Sequence, residues 1–204
     1  MSPAPAVQLG PSLANAVHWV TELHRDQTRK GGTIPYVSHL LGVAALVVED
    51  GGDETDAIAA LLHDAVEDQG GLETLAQIRE RFGPEVADIV EACSDAVSEP
   101  KPSWLERKQN YVAEVDRPET SERVLRVSAA DKLHNVRSIL SDLDQRGDEI
   151  WGHFHAPPHK VHWYYATLAE IYERRLPSSR SVTALRRAVD EMASRLPNPD
   201  LVET

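Results

Sequence analysis

Apolar residues recur at helical spacing along most of the chain. Leu13, Ala16, Val17, Val20 and Leu23 fall three and four apart behind Ser12, which reads as an N-cap. That first helix is expected to end near the polar stretch Arg25 to Thr33, which contains Gly31-Gly32. A second helix follows Pro35 to about Glu49, and a third covers about Asp53 to Asp68, each closed by a Gly-Gly pair. Leu72, Leu75, Ile78 and Phe82 predict a short fourth, and Pro84 opens a fifth through Val97. Ser103 to Glu106 has capping-box form and opens a sixth. Leu125, Ala129, Leu133, Val136, Leu140 and Leu143 repeat at nearly heptad spacing and predict a long helix from about Glu119 to Leu143. Two more are expected, from about Pro158 to Leu176 and from Ser181 to Leu196. No stretch reads as a strand, so the fold class is all-α.

A chain of 204 residues suits one compact domain, expected over 12–196, with a disordered lead-in at 1–11 and a tail at 197–204. At this length folding hides roughly 70% of the unfolded surface, so the core needs no covalent staple. The single cysteine, Cys93, can form no internal bridge, and a reducing cytoplasm is the expected setting. With 33 acidic and 21 basic residues the formal net charge is -12. That charge opposes non-specific binding to nucleic acid or an anionic membrane, and a polyanionic substrate would need a local basic patch. The apolar runs Val43 to Val48 and Ala57 to Leu62 are too short to cross a bilayer.

The run Ala57 to Leu62 leaves its helix no polar face and leads straight into His63, Asp64, Glu67 and Asp68. On one continuous helix these four fall within an arc of about 140°, a polar stripe on a buried element. Three carboxylates there would stand at the negative end of the helix, where only a cation offsets them. Adjacent His and Asp offer a divalent ion one nitrogen and one oxygen. Asp131, among small and apolar residues of the long helix, would be costly to bury unpaired; a metal, Lys132 or Arg137 could partner it. His39, beside apolar Leu40, Leu41 and Val43, is a further candidate ligand. His153, His155, His159 and His162 also cluster, but nearby Phe154, Trp163, Tyr164 and Tyr165 point to packing rather than a metal.

The ordered series His39, His63-Asp64 and Asp131 resembles the signature of the HD-domain phosphohydrolase superfamily. Three motifs are similar to the hydrolase domain of Rel/SpoT proteins and the small alarmone hydrolases. They are His24-x-x-Gln27-x-Arg29-Lys30-Gly31 with Pro35-Tyr36-x-x-His39, His63-Asp64-x-x-Glu67-Asp68, and Ala130 to Asn135 with Arg137. The resemblance implies a compact HD-domain helical bundle that removes the 3′-pyrophosphate of guanosine tetra- or pentaphosphate. It implies one Mn(II) ion, or another divalent metal, on His39, His63, Asp64 and Asp131, with Glu67 and Asp68 orienting water or moving its proton. Arg29 and Lys30 would face base and phosphates, Asn135 the nucleoside, and Arg137 and Ser138 the substrate side. The implied partner is a small nucleotide rather than nucleic acid or membrane, and the implied form is a stand-alone hydrolase. Other readings are an HD phosphohydrolase for an adenosine alarmone, a nucleoside monophosphate or NADPH, and a nucleotide sensor without turnover. Leu40 stands where many relatives have proline after the first histidine, a difference of backbone rather than chemistry.

Overall fold

A computed structural model describes residues 7–94 and 102–197. In chain order these form α1 (Pro11–Leu23), α2 (Val37–Glu49), α3 (Glu54–Leu62), α4 (Ala65–Asp68), α5 (Leu72–Phe82) and α6 (Pro84–Cys93). Then come α7 (Trp104–Asp116), α8 (Glu122–Arg146), a 3₁₀ segment (Gly147–His153), α9 (Pro158–Arg175) and α10 (Arg180–Ser194). Among the described residues there is no extended strand, only an isolated bridge between Thr28 and Pro35. Among the described residues no helix is long and apolar enough to cross a membrane.

The long helix α8 joins two apolar clusters. Its Leu125, Ala129, Leu133, Val136, Leu140 and Leu143 pack with α7, α9 and α10. Its Val124, Val127 and Ala130 pack instead with α1 to α6. The heptad-like pattern is thus the face turned to one cluster, and Asp131 sits where the two meet. The Ser103–Glu106 capping box is present, and Ser121 caps α8 by accepting from the Val124 amide at 3.3 Å.

Several boundaries differ from the sequence expectation. Ser12 is not the N-cap of α1, because Pro11 already occupies the first helical position and Glu54 accepts from the Gly10 and Leu13 amides. Helix α6 stops at Cys93, where Ser94 turns extended and gives its hydroxyl to the Val90 carbonyl. The rest of that expected helix, to Val97, lies outside the described residues, as do 1–6 of the lead-in and 198–204 of the tail.

The helix expected over Asp53 to Asp68 is divided at His63-Asp64. His63 Nδ1 bonds the Ala60 carbonyl at 2.8 Å, the oxygen that an uninterrupted helix would offer to the Asp64 amide. Asp64 therefore stands at the N-cap of the short α4, not near the negative end of one long helix. Without one long helix, no long-helix dipole calls for a cation here, and the single stripe parts: Glu67 faces one cavity and Asp68 another.

Candidate active site

Three helix ends and the middle of α8 converge on one point. His39 comes from the first turn of α2, His63 and Asp64 from the α3–α4 break, and Asp131 from α8. His39 Nε2 lies 3.2 Å from Asp131 Oδ1 and 3.6 Å from Asp64 Oδ2. His63 Nε2 lies 3.0 Å from Asp64 Oδ2 and 3.5 Å from Asp131 Oδ1. Both Nε2 atoms are buried and make no hydrogen bond. Such donors bond a metal at about 2.0–2.2 Å, which sets neighbouring donors roughly 3.0–3.6 Å apart. The residues therefore fit a single divalent ion. The ligating atoms of His39, His63 and Asp131 all lie within 4.8 Å of one another. Asp64 Oδ2 lies as close to the two imidazoles as Asp131 Oδ1 does, and the Tyr36 hydroxyl also holds it at 2.6 Å. The later histidines His153, His155, His159 and His162 form no comparable group among the described residues.

The electrostatics call for positive charge at this point. Burial disfavours the charged form of His63, yet Asp64 and Asp131 outweigh it and hold the imidazole pKa well above its ordinary value. Burial likewise opposes ionisation of Asp131, but Lys132, His39 and His63 hold its carboxyl well below the usual range. Lys132 Nζ lies 2.6 Å from Asp131 Oδ2, so lysine takes one oxygen while the other faces the histidines. Asn135 also donates to that second oxygen at 2.5 Å. A metal would displace the histidine proton and take its place as counter-charge.

Two cavities flank this centre. The larger, about 590 Å³, is lined by Arg29, Lys30, Asp68, Asn135 and Ser138, with Arg146 at its far side. Arg29 donates to Asn135 Oδ1 at 2.8 Å and lies 5.7 Å from the centroid of the Tyr36 ring. Lys30 is exposed and stands 5.8 Å from the Phe154 ring. Arg137 is exposed on α8 and lines neither cavity, though its charge reaches His134 on the wall of the larger one. Arg146 stands there instead, donating to the Gly31 carbonyl at 2.8 Å. Gly31 has φ +72, and a Cβ there would come within 2.8 Å of His153, so this turn requires glycine.

The smaller cavity, about 230 Å³, holds Glu67, Lys108, Lys132 and the rings of Tyr164 and Tyr165. Of the aromatic residues expected to pack beside the later histidines, Trp163 turns outward, 36% exposed. Cys93 also lines this space, but burial pushes its thiol up to about 12, which leaves it a poor nucleophile. In the larger cavity Asp68 accepts from Gln27 Nε2 at 2.7 Å. Gln27 is itself fixed, its Oε1 facing His24 Nδ1 at 2.7 Å and Gln69 Nε2 at 2.8 Å. Partial burial raises the Asp68 pKa; the Gln27 bond works against this and the Asp64 charge adds to it. Sequence reasoning gave no role to Gln27, Tyr36, Lys108, His134 or Arg146. Gln27, Tyr36 and His134 lie inside the quoted motifs, which is the signal that could have found them.

A model of the HD domain matches residues 16–158. The chain belongs to the HD-domain family. The guanosine-3′,5′-bis(diphosphate) 3′-pyrophosphohydrolase MESH1 of Homo sapiens is 36% identical over 164 residues, 78% of this chain and 82% of the relative. The protein of the same name from Xenopus tropicalis is 37% identical over 130 residues, 62% and 69% of the two chains. A solved metazoan orthologue of SpoT, described as hydrolysing ppGpp, superposes with a TM-score of 0.68 at 23% identity. That match covers 95% of this chain and 97% of the other, and it carries the fold. The chain places the His63-Asp64 pair at the break between α3 and α4, and Asp131 on α8.

Proposed function

We propose that this protein is a metal-dependent hydrolase that removes the 3′-pyrophosphate of guanosine tetra- or pentaphosphate, giving GDP or GTP and pyrophosphate. One observation carries the reading: two buried, unbonded histidine nitrogens face two carboxylates beside a cavity lined by Arg29, Lys30 and Asn135. The names of the MESH1 relatives supply the substrate class. His39, His63, Asp64 and Asp131 would hold one Mn(II). When bound, such an ion acidifies water and offsets the charge that develops on the phosphoryl oxygens.

The chain's own groups supply the rest. Asp68 and Glu67 flank the centre from the two cavities and take the water's proton or orient it. Asp68 is held as an acceptor on Oδ2 by Gln27, which suits a base. Arg29 and Lys30 bind phosphate or base, and Asn135 and Ser138 hold the nucleoside end, in a local basic patch on an acidic protein. Arg137 has no place in this assignment. Buried Cys93 and the lack of any bridge suit a cytoplasmic enzyme.

The test is a Mn(II)-reconstituted assay against ppGpp, an adenosine alarmone, nucleoside monophosphates and NADPH, with pyrophosphate and orthophosphate separated. The proposal expects fastest release of intact pyrophosphate from the guanosine compound. Faster orthophosphate release from another nucleotide would replace it with a general phosphohydrolase, and tight binding without turnover would replace it with a sensor.

A further inference from the structure

Helix α2 carries a glycine in its interior, Gly42, three residues beyond His39, where alanine would favour the helix. The reason lies on α8. A Cβ at Gly42 would come within 2.5 Å of His134 Cδ2 and Nε2, so the His134 ring rests directly on the α2 backbone. Its opposite edge meets a proposed metal ligand: His134 Nδ1 lies 2.9 Å from His39 Nδ1, with the ring planes at 68° and the centroids 4.7 Å apart. A histidine that offers Nε2 to a metal carries its proton on Nδ1. His39 therefore donates and His134 accepts, which leaves the His134 proton on Nε2.

We propose that His134 is a positioning residue that fixes the tautomer and tilt of His39, and that Gly42 is the seat that lets its ring lie close enough to do so. Helix α8 then supplies one ligand, Asp131, and aligns another from α2. The inference rests on the reading of His39 as a metal ligand. It adds two residues that do not touch the ion.

The experiment titrates Mn(II) into metal-stripped protein by calorimetry, with circular dichroism recording the fold. His134→Leu is expected to raise the Mn(II) dissociation constant about 10- to 100-fold, the usual effect of losing such an outer partner. His134→Asn, which returns an acceptor oxygen near the Nδ1 position, is expected to recover part of that loss. Gly42→Ala is expected to weaken Mn(II) binding in the wild-type background and to cost nothing further beside His134→Leu, because the ring it displaces is gone. Wild-type affinity in His134→Leu, or an equal Gly42→Ala penalty in both backgrounds, overturns the proposal. Should His63→Ala abolish Mn(II) binding while His134→Leu does not, the metal reading stands and this inference alone fails. A wild-type protein that binds no Mn(II) overturns both.

Discussion

Tyr36 gives its hydroxyl proton to Asp64 Oδ2 at 2.6 Å, and its ring lies 5.5 Å from that of His24 and 5.5 Å from that of His39. One side chain thus touches two of the proposed ligands. Burial first, and the Asp64 charge second, keep the phenol far from ionising, so it remains a donor. Asp64 Oδ2 faces both histidines, and Tyr36 holds it there. Tyr36→Phe keeps the ring contacts and removes the donor. It is expected to weaken Mn(II) binding about 10-fold or more, with little change in thermal midpoint. Calorimetric titration checks this, and unchanged affinity would show that Asp64 needs no such support.

Glu67 and Asp68 are assigned to proton handling rather than metal binding. Glu67→Gln and Asp68→Asn are each expected to lower kcat by about 10²- to 10⁴-fold while bound metal stays near one ion per chain. Elemental analysis beside steady-state kinetics separates the two effects. Loss of metal from Glu67→Gln with full activity per bound ion would make Glu67 a ligand.

Gln27 acts on the reaction only through Asp68 in this account. Gln27→Leu should lower kcat in the wild-type enzyme and add little to Asp68→Asn, because residues working through one group are not additive. Equal losses in both backgrounds would give Gln27 an independent role, such as contact with the nucleotide.

Arg29 lies against Asn135, Ser138 and the Tyr36 ring, all on the wall of the larger cavity. Arg29→Ala is expected to raise KM for the alarmone at least 10-fold with a smaller change in kcat, since it removes a binding contact and no proton carrier. A loss confined to kcat would place the guanidinium on the developing charge instead.

Much of this is legible in the sequence. The apolar periodicity marked α8, and its six spaced residues do pack on one cluster. The buried run Ala57 to Leu62 was equally clear, because six apolar residues in succession leave no solvent face. The break after Leu62 was not legible, since His63 competes for a backbone carbonyl through a side-chain bond that no periodicity encodes. Arg137 and Arg146 show the same limit. Both are arginines on α8, and only the path of the Gly31 turn decides which one meets the cavity. By sequence Lys132 is an alternative to a metal at Asp131, but the carboxylate has two oxygens, one on Lys132 and one facing the histidines.

The most direct test of the account follows the oxygen. Metal-loaded enzyme is given ppGpp in ¹⁸O-water, and the products are separated and weighed by mass spectrometry. Water activated beside Asp68 and Glu67 and attacking the phosphorus next to O3′ puts one ¹⁸O into pyrophosphate and none into GDP, and the reaction stops when the metal is removed. Labelled GDP, release of orthophosphate, or the same turnover in metal-stripped protein would contradict it.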